Sequence, residues 1–107
     1  MREQAISPAA LLDRITRGNA PAVLDVRSPA EFAAGRVPGA VNVPFTRVLA
    51  GSDNVRAPKH ETVVVYCGHG PRAWLAGKAL RWRGYEHVTY LSGHMAAWRR
   101  AGLREER

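Results

Sequence analysis

Thr62-Val63-Val64-Val65-Tyr66-Cys67-Gly68-His69-Gly70-Pro71-Arg72 is the stretch on which the reading of this chain turns. The β-branched run ending at Tyr66 predicts a buried strand. Pro71, followed by Ala73, Ala76, Gly77 and Leu80 at helical spacing, predicts a helix from 71 to about 83 that stops at Gly84. Cys67, the only cysteine, therefore falls between a strand end and a helix start. Glycines at 68 and 70 let the loop curl with its amides pointing inward, at the positive end of the helix dipole, which favours a thiolate over a thiol. A lone cysteine is ordinarily a small buried hydrophobe. Here two glycines, a proline and an arginine make a poor hydrophobic wall, and Arg72 adds a fixed cation, so Cys67 is the candidate nucleophile.

The same punctuation organises the rest of the chain. Ser7-Pro8 before Ala9, Ala10, Leu11, Leu12 and Ile15 predicts a capped first helix that ends at Gly18. Ala22 to Val26 predicts a short strand, and Ser28-Pro29-Ala30-Glu31 a capping box opening a brief helix to Gly35. After the turn at Val37-Pro38-Gly39, residues 40–43 predict a strand ended by Pro44, and 45–49 a helical turn. Residues 51–60 are polar and read as a surface connection; 87–91 predict a strand and 94–100 a last helix closed by Gly102. Short apolar strands alternating with helices specify an α/β fold with a mostly parallel central sheet of four to five strands, flanked by helices on both faces. In such sheets ligands gather at the carboxyl ends of strands, where Cys67 falls.

At 107 residues the chain is expected to be one domain, residues 1–107. Its net charge of +7 comes largely from arginines dispersed along the sequence, without a basic run interleaved with aromatics. That distribution fits the steering of small anions or an acidic protein partner, and argues against dedicated nucleic-acid binding. No long apolar run or secretory pattern is present, so no membrane association and a cytoplasmic location are expected. With one cysteine there is no internal disulfide and no second thiol to resolve a bond at Cys67, so whatever that sulfur receives must leave to another molecule. His60, His87 and His94 are scattered without ligand spacing; neither a metal nor another cofactor is expected. Trp74, Trp82 and Trp98 read as core or helix-face packing, with lining of the site's mouth as the alternative for Trp74.

Four segments together resemble the single-domain rhodanese family, which has a thiosulfate sulfurtransferase-type fold. They are Leu24-Asp25-Val26-Arg27 with Glu31-Phe32; Gly35-Arg36-Val37-Pro38-Gly39-Ala40-Val41-Asn42-Val43-Pro44; Tyr66-Cys67-Gly68-His69-Gly70-Pro71-Arg72; and Leu91-Ser92-Gly93-His94-Met95-Ala96-Ala97-Trp98 before Gly102. They span nearly the whole chain in the family's order. Two positions depart from its pattern: Arg36 stands where histidine is frequent, and His94 where a second glycine is common. The resemblance implies that Cys67 is a nucleophile that takes the outer sulfur of thiosulfate, releases sulfite and passes its persulfide sulfur to cyanide or a thiol. It implies that the amides of Gly68, His69, Gly70 and Arg72 stabilise thiolate and persulfide, while Pro71 has no N–H to give. Arg72 is then the residue that holds the anionic donor. His69 is either a hydrogen-bond donor to that anion or an exposed side chain shaping the entrance. Asp25, Arg27 and Glu31 are expected to support the loop's geometry through hydrogen bonds.

Two other functions compete. Phosphatases and arsenate reductases also close a cysteine loop on arginine, but typically with five intervening residues; four intervene here, and no aspartate general acid accompanies the loop. A persulfide carrier or protein-interaction module with weak thiosulfate activity would keep Cys67 and serve a specific protein acceptor. The sulfurtransferase reading requires an ionised sulfur facing a ring of backbone donors, open to a small anion.

Overall fold

A computed structural model describes residues 4–51 and 55–107. Five strands, β1 (Gln4–Ile6), β2 (Ala22–Asp25), β3 (Val41–Asn42), β4 (Thr62–Tyr66) and β5 (His87–Leu91), form one sheet in the order β1-β5-β4-β2-β3. Every pairing is parallel. Between and after them run α1 (Pro8–Thr16), α2 (Pro29–Ala34), α3 (Phe45–Leu49), α4 (Pro71–Trp82) and α5 (His94–Arg100). β4 lies at the centre, with Val64 opposite Val23 of β2 and Thr89 of β5. A strand paired on both edges and covered on both faces must be apolar throughout, which is why Val63-Val64-Val65-Tyr66 shows no polar alternation.

The period of two still sorts the side chains. Val63 and Val65 join Leu24 and Val26 in a core closed by Val48 of α3 and by Ala73, Ala76 and Leu80 of α4. Val64 and Tyr66 face the opposite way, with Val23, under Leu11 of α1 and Met95 and Trp98 of α5. The small stripe on α4 has a steric purpose: a Cβ at Gly77 would collide with the ring and hydroxyl of Tyr90, so only glycine lets this helix lie so close to β5. Local caps form as the sequence indicates. Ser7 Oγ accepts the Ala10 N–H at 3.1 Å, and Ser28 and Glu31 make a reciprocal capping box.

Four features differ from the sequence reading. β1 carries no sequence signal; it is a three-residue edge strand held by Thr89, Tyr90 and Leu91. The 51–60 connection is not wholly at the surface, because Val55 is buried in the α3–α4 core; Ser52, Asp53 and Asn54 lie outside the described residues. Of the three tryptophans only Trp98 is core. Trp74 is 49% and Trp82 90% exposed, since the buried stripe of α4 runs through positions 73, 76, 77 and 80 and leaves 74 and 82 off it. Finally, the C-terminal segment returns to the α2–β3 turn, where Arg36 and Glu106 exchange two backbone hydrogen bonds at 2.9 Å. Among the described residues no helix is long and apolar enough to cross a membrane.

Candidate active site

Residues 67–70 connect the carboxyl end of β4 to the start of α4. The last residue of the strand, Tyr66, is fixed from below. Its hydroxyl donates to Asp25 Oδ2 at 2.7 Å and accepts the Val37 N–H at 3.1 Å. Burial, with the Asp25 charge beside it, pushes the Tyr66 hydroxyl well above its usual pKa, so it stays protonated and can donate. Asp25 is fully buried and also takes the Arg27 backbone N–H at 2.9 Å and two side-chain nitrogens at 2.8–3.1 Å. Arg27 in turn donates to the Gly35 carbonyl at 2.6 Å, tying in the end of α2. Asn42 Nδ2 donates to the carbonyls of Asp25 and Arg27 at 3.0 and 2.9 Å. A buried ion pair is tolerated only when its remaining donors and acceptors are satisfied, and here they are.

The loop is fixed from the side by α5. The carbonyls of Cys67 and Gly68 accept the N–H groups of Met95 and Ala96 at 3.0 and 3.2 Å, and the Cys67 N–H donates to His94 Nδ1 at 3.2 Å. Gly70 adopts φ +130°, a conformation side chains rarely take, and this turns its N–H onto Cys67 Sγ at 3.0 Å. Gly68 has Arg72 Nη2 within 3.2 Å of where a Cβ would stand. Of the loop amides expected to face the sulfur, that of Gly70 is seen to do so.

Arg72, in the first turn of α4, does not point freely at solvent. Its Nη1 and Nη2 donate to the two oxygens of Glu31 at 2.7 and 3.1 Å. Glu31 Oε1 is itself held by the Ser28 N–H and hydroxyl at 3.1 and 3.0 Å. The Arg72 hydrogen bonds, opposed by partial burial and reinforced by Ser28, bring the Glu31 carboxyl down to about 2. The helix cap at α2 and the closing arginine of the thiol loop thus form one unit.

One expectation is corrected. The sulfur is not open to solvent: Cys67 is fully buried and packs in the α3–α4 core. The cause is parity, because Cys67 continues the inward set of Val63 and Val65. Two hollows flank the loop instead. A cavity of about 600 Å³ lies on the α5 side, lined by His69, Gly70, Pro71, Trp74, Leu75, Tyr90 and His94. One of about 370 Å³ lies on the α2–α3 side and includes Ser28, Phe45, Arg47 and Arg72. Of the residues expected at the site, Cys67, Gly68, His69, Gly70, Arg72 and Glu31 come together; Asp25 and Arg27 lie beneath, acting through Tyr66. His69 is exposed on the rim of the larger cavity. His94 is the member that sequence reasoning left out of the site; its only signal was a side chain where glycine is common.

This geometry can be set beside known proteins. Residues 7–101 match the rhodanese-like domain family. A sulfurtransferase of Allochromatium vinosum is 37% identical over 81 residues, covering 76% of this chain and 74% of that protein. A probable adenylyltransferase/sulfurtransferase, MoeZ, of Mycobacterium tuberculosis is 31% identical over 93 residues; the match covers 87% of this chain but 24% of MoeZ. Among solved structures, the rhodanese-like domain of the Anabaena Alr3790 protein superposes with a TM-score of 0.83 at 27% identity, covering 98% of this chain and 80% of that one.

Proposed function

This chain belongs to the rhodanese-like domain family, and on that footing we propose that it is a sulfurtransferase that carries sulfane sulfur as a persulfide on Cys67. The observation that supports this most strongly is the Gly70 N–H on Cys67 Sγ, in a loop that a carboxylate–guanidinium pair holds shut. In the proposed reaction the Cys67 thiolate attacks the outer sulfur of thiosulfate. The Sγ–S bond forms, the donor's S–S bond breaks, and its electron pair leaves on sulfite. A second nucleophile, cyanide or a thiol, then attacks the outer sulfur of the persulfide, and the electron pair of that bond returns to Sγ. Neither step needs a cofactor or a change in net redox state beyond sulfur exchange. The Gly70 N–H donates to the charged sulfur before and after loading.

Burial of Cys67 sets a condition on this chemistry: the loop side chains must part for a donor to reach the sulfur. Exclusion of water from the resting sulfur is the counterpart. Arg72 contributes in two ways, fixing the loop through Glu31 and raising the local concentration of the anionic donor. Asp25 and Arg27 fix Tyr66, one residue before the nucleophile, and are positioning residues. A persulfide on a lone cysteine must be discharged by another molecule, so a thiol or a protein acceptor is the second partner. Such thiol chemistry fits a reducing compartment such as the cytoplasm.

A phosphatase reading is disfavoured by the commitments of the aspartates. Asp25 is buried under Arg27 and Tyr66, and Asp13 pairs with Arg17 on α1; Asp53 lies outside the described residues. Assaying thiosulfate with cyanide and an aryl phosphate on one preparation tests the choice. Thiocyanate without phosphate release is expected; phosphate release alone would overturn the proposal.

A further inference from the structure

His94 has a left-handed backbone conformation that is uncommon outside glycine. Its φ is +57°, directly after Gly93 at +70°, a region that glycine and asparagine favour. An imidazole kept there at a conformational cost directs attention to what its two nitrogens do. Nδ1 accepts the Cys67 N–H at 3.2 Å. A ring nitrogen that accepts carries no proton, so the neutral ring must carry it on Nε2. Burial, and then the neighbouring His69, hold the His94 pKa below its usual value, which supports that neutral form. The Nε2–Cδ2 edge lies 3.4–3.5 Å from where a Cβ at Gly70 would stand, beside the residue whose own N–H holds the sulfur. His94 and Gly70 both line the cavity of about 600 Å³, whose rim carries Trp74 and Leu75.

On the other side of the loop, the fixed cation is already compensated, since Glu31 takes both ends of Arg72. The α5 side offers a second donor beside the loop, the Nε2–H of His94 next to Gly70. Taking the sulfurtransferase reading above as its basis, we propose that this cavity is the subsite for the oxygen-bearing half of an anionic sulfur donor, with His94 Nε2–H as its hydrogen-bond donor. As Cys67 Sγ bonds to the outer sulfur, the S–S bond breaks and its electron pair leaves on the oxygen-bearing group. His94 keeps its proton throughout, and its hydrogen bond strengthens as charge gathers on that group.

The test compares the wild type with His94→Gly and His94→Asn, using thiosulfate as the probe, and separates the two half-reactions. Glycine suits the backbone but takes away the acceptor of the Cys67 N–H, so His94→Gly is expected to unfold a few degrees below the wild type and to remain folded at the assay temperature. Asparagine tolerates the same conformation and can accept the Cys67 N–H through Oδ1, but it lacks the Nε2–H. Loading of Cys67 by thiosulfate is expected to slow by about a hundredfold in both variants, while discharge of preloaded protein to cyanide is unchanged. Wild-type loading rates in His94→Gly would overturn the proposal. So would rescue by His94→Asn, which would confine His94 to holding the Cys67 amide, or equal loss in both half-reactions, which would mean a distorted loop. A wild type that takes no sulfur from thiosulfate would overturn this subsite together with that donor class, whereas the preceding outcomes leave the sulfurtransferase reading standing.

Discussion

Glu31 and Arg72, 41 residues apart in sequence, meet in a two-pronged ion pair at 2.7 and 3.1 Å that joins the cap of α2 to the end of the thiol loop. The two side chains are 40% and 32% exposed, so the pair adds little to global stability; its value lies in geometry. Arg72→Ala is expected to destabilise the fold by about 1 kcal/mol or less. It should lower kcat/KM for thiosulfate by about a hundredfold, because it removes both the loop's anchor and the cation. Denaturant unfolding and steady-state kinetics on the same variant check this, and an unchanged rate would show that the Glu31–Arg72 pair does not position the loop for loading.

The depressed Glu31 carboxyl makes a pH-dependent contribution. Its folded pKa of about 2 lies below the ordinary 4.5, so its stabilisation is complete above pH 4.5 and is lost as pH falls toward 2. Allowing for solvent screening at this exposed position, about 1 kcal/mol is at stake. Glu31→Gln should show a correspondingly smaller loss of stability between pH 5 and about pH 2.5. Parallel pH curves for the variant and the wild type would assign the acid sensitivity to other carboxylates.

Asp25 carries a heavier load because it is buried. Asp25→Ala strands the Arg27 guanidinium with no counter-charge and is expected to cost about 3–5 kcal/mol. Tyr66→Phe removes one donor to Asp25 and leaves the Val37 N–H without its acceptor, at about 1–2 kcal/mol. Urea titrations give both values. Near-wild-type stability of Asp25→Ala would mean that the network is dispensable.

Burial of Cys67 has a kinetic signature. A bulky aromatic disulfide reagent should modify the native thiol at least about a hundredfold more slowly than the unfolded chain, since it must wait for local opening. Iodoacetamide, being small, should show a weaker contrast. Equal rates for native and unfolded protein would place the sulfur at the surface.

Much of this architecture could be read from short-range chemistry. The stripe Ala73, Ala76, Gly77 and Leu80, the caps at Ser7 and Ser28, and the stop at Gly84 each act within a turn or two, and each is where the sequence places it. Long-range relationships were less legible. β1 is recognisable only through β5, its partner near the far end of the chain, and the Arg36–Glu106 closure depends on the folded path of the tail. Sequence placed Glu31 near the loop but could not pair it with Arg72, since spacing says nothing across 41 residues. The inward parity of Cys67 was available from Val63 and Val65, yet the glycines after it suggested openness. Trp82 shows the converse: bulk suggests burial, yet it falls off the stripe that α4 buries, whereas Trp74, also off that stripe, lines the cavity beside the loop.

Intact-mass measurement after incubation with thiosulfate, on the wild type beside Cys67→Ser, bears on the proposed chemistry with the fewest intermediate assumptions. The wild type should gain the mass of one sulfur atom and lose it on addition of cyanide, with thiocyanate released in equal amount, while Cys67→Ser gains nothing. Equal sulfur uptake by the variant, or no uptake by the wild type, would contradict a persulfide on Cys67.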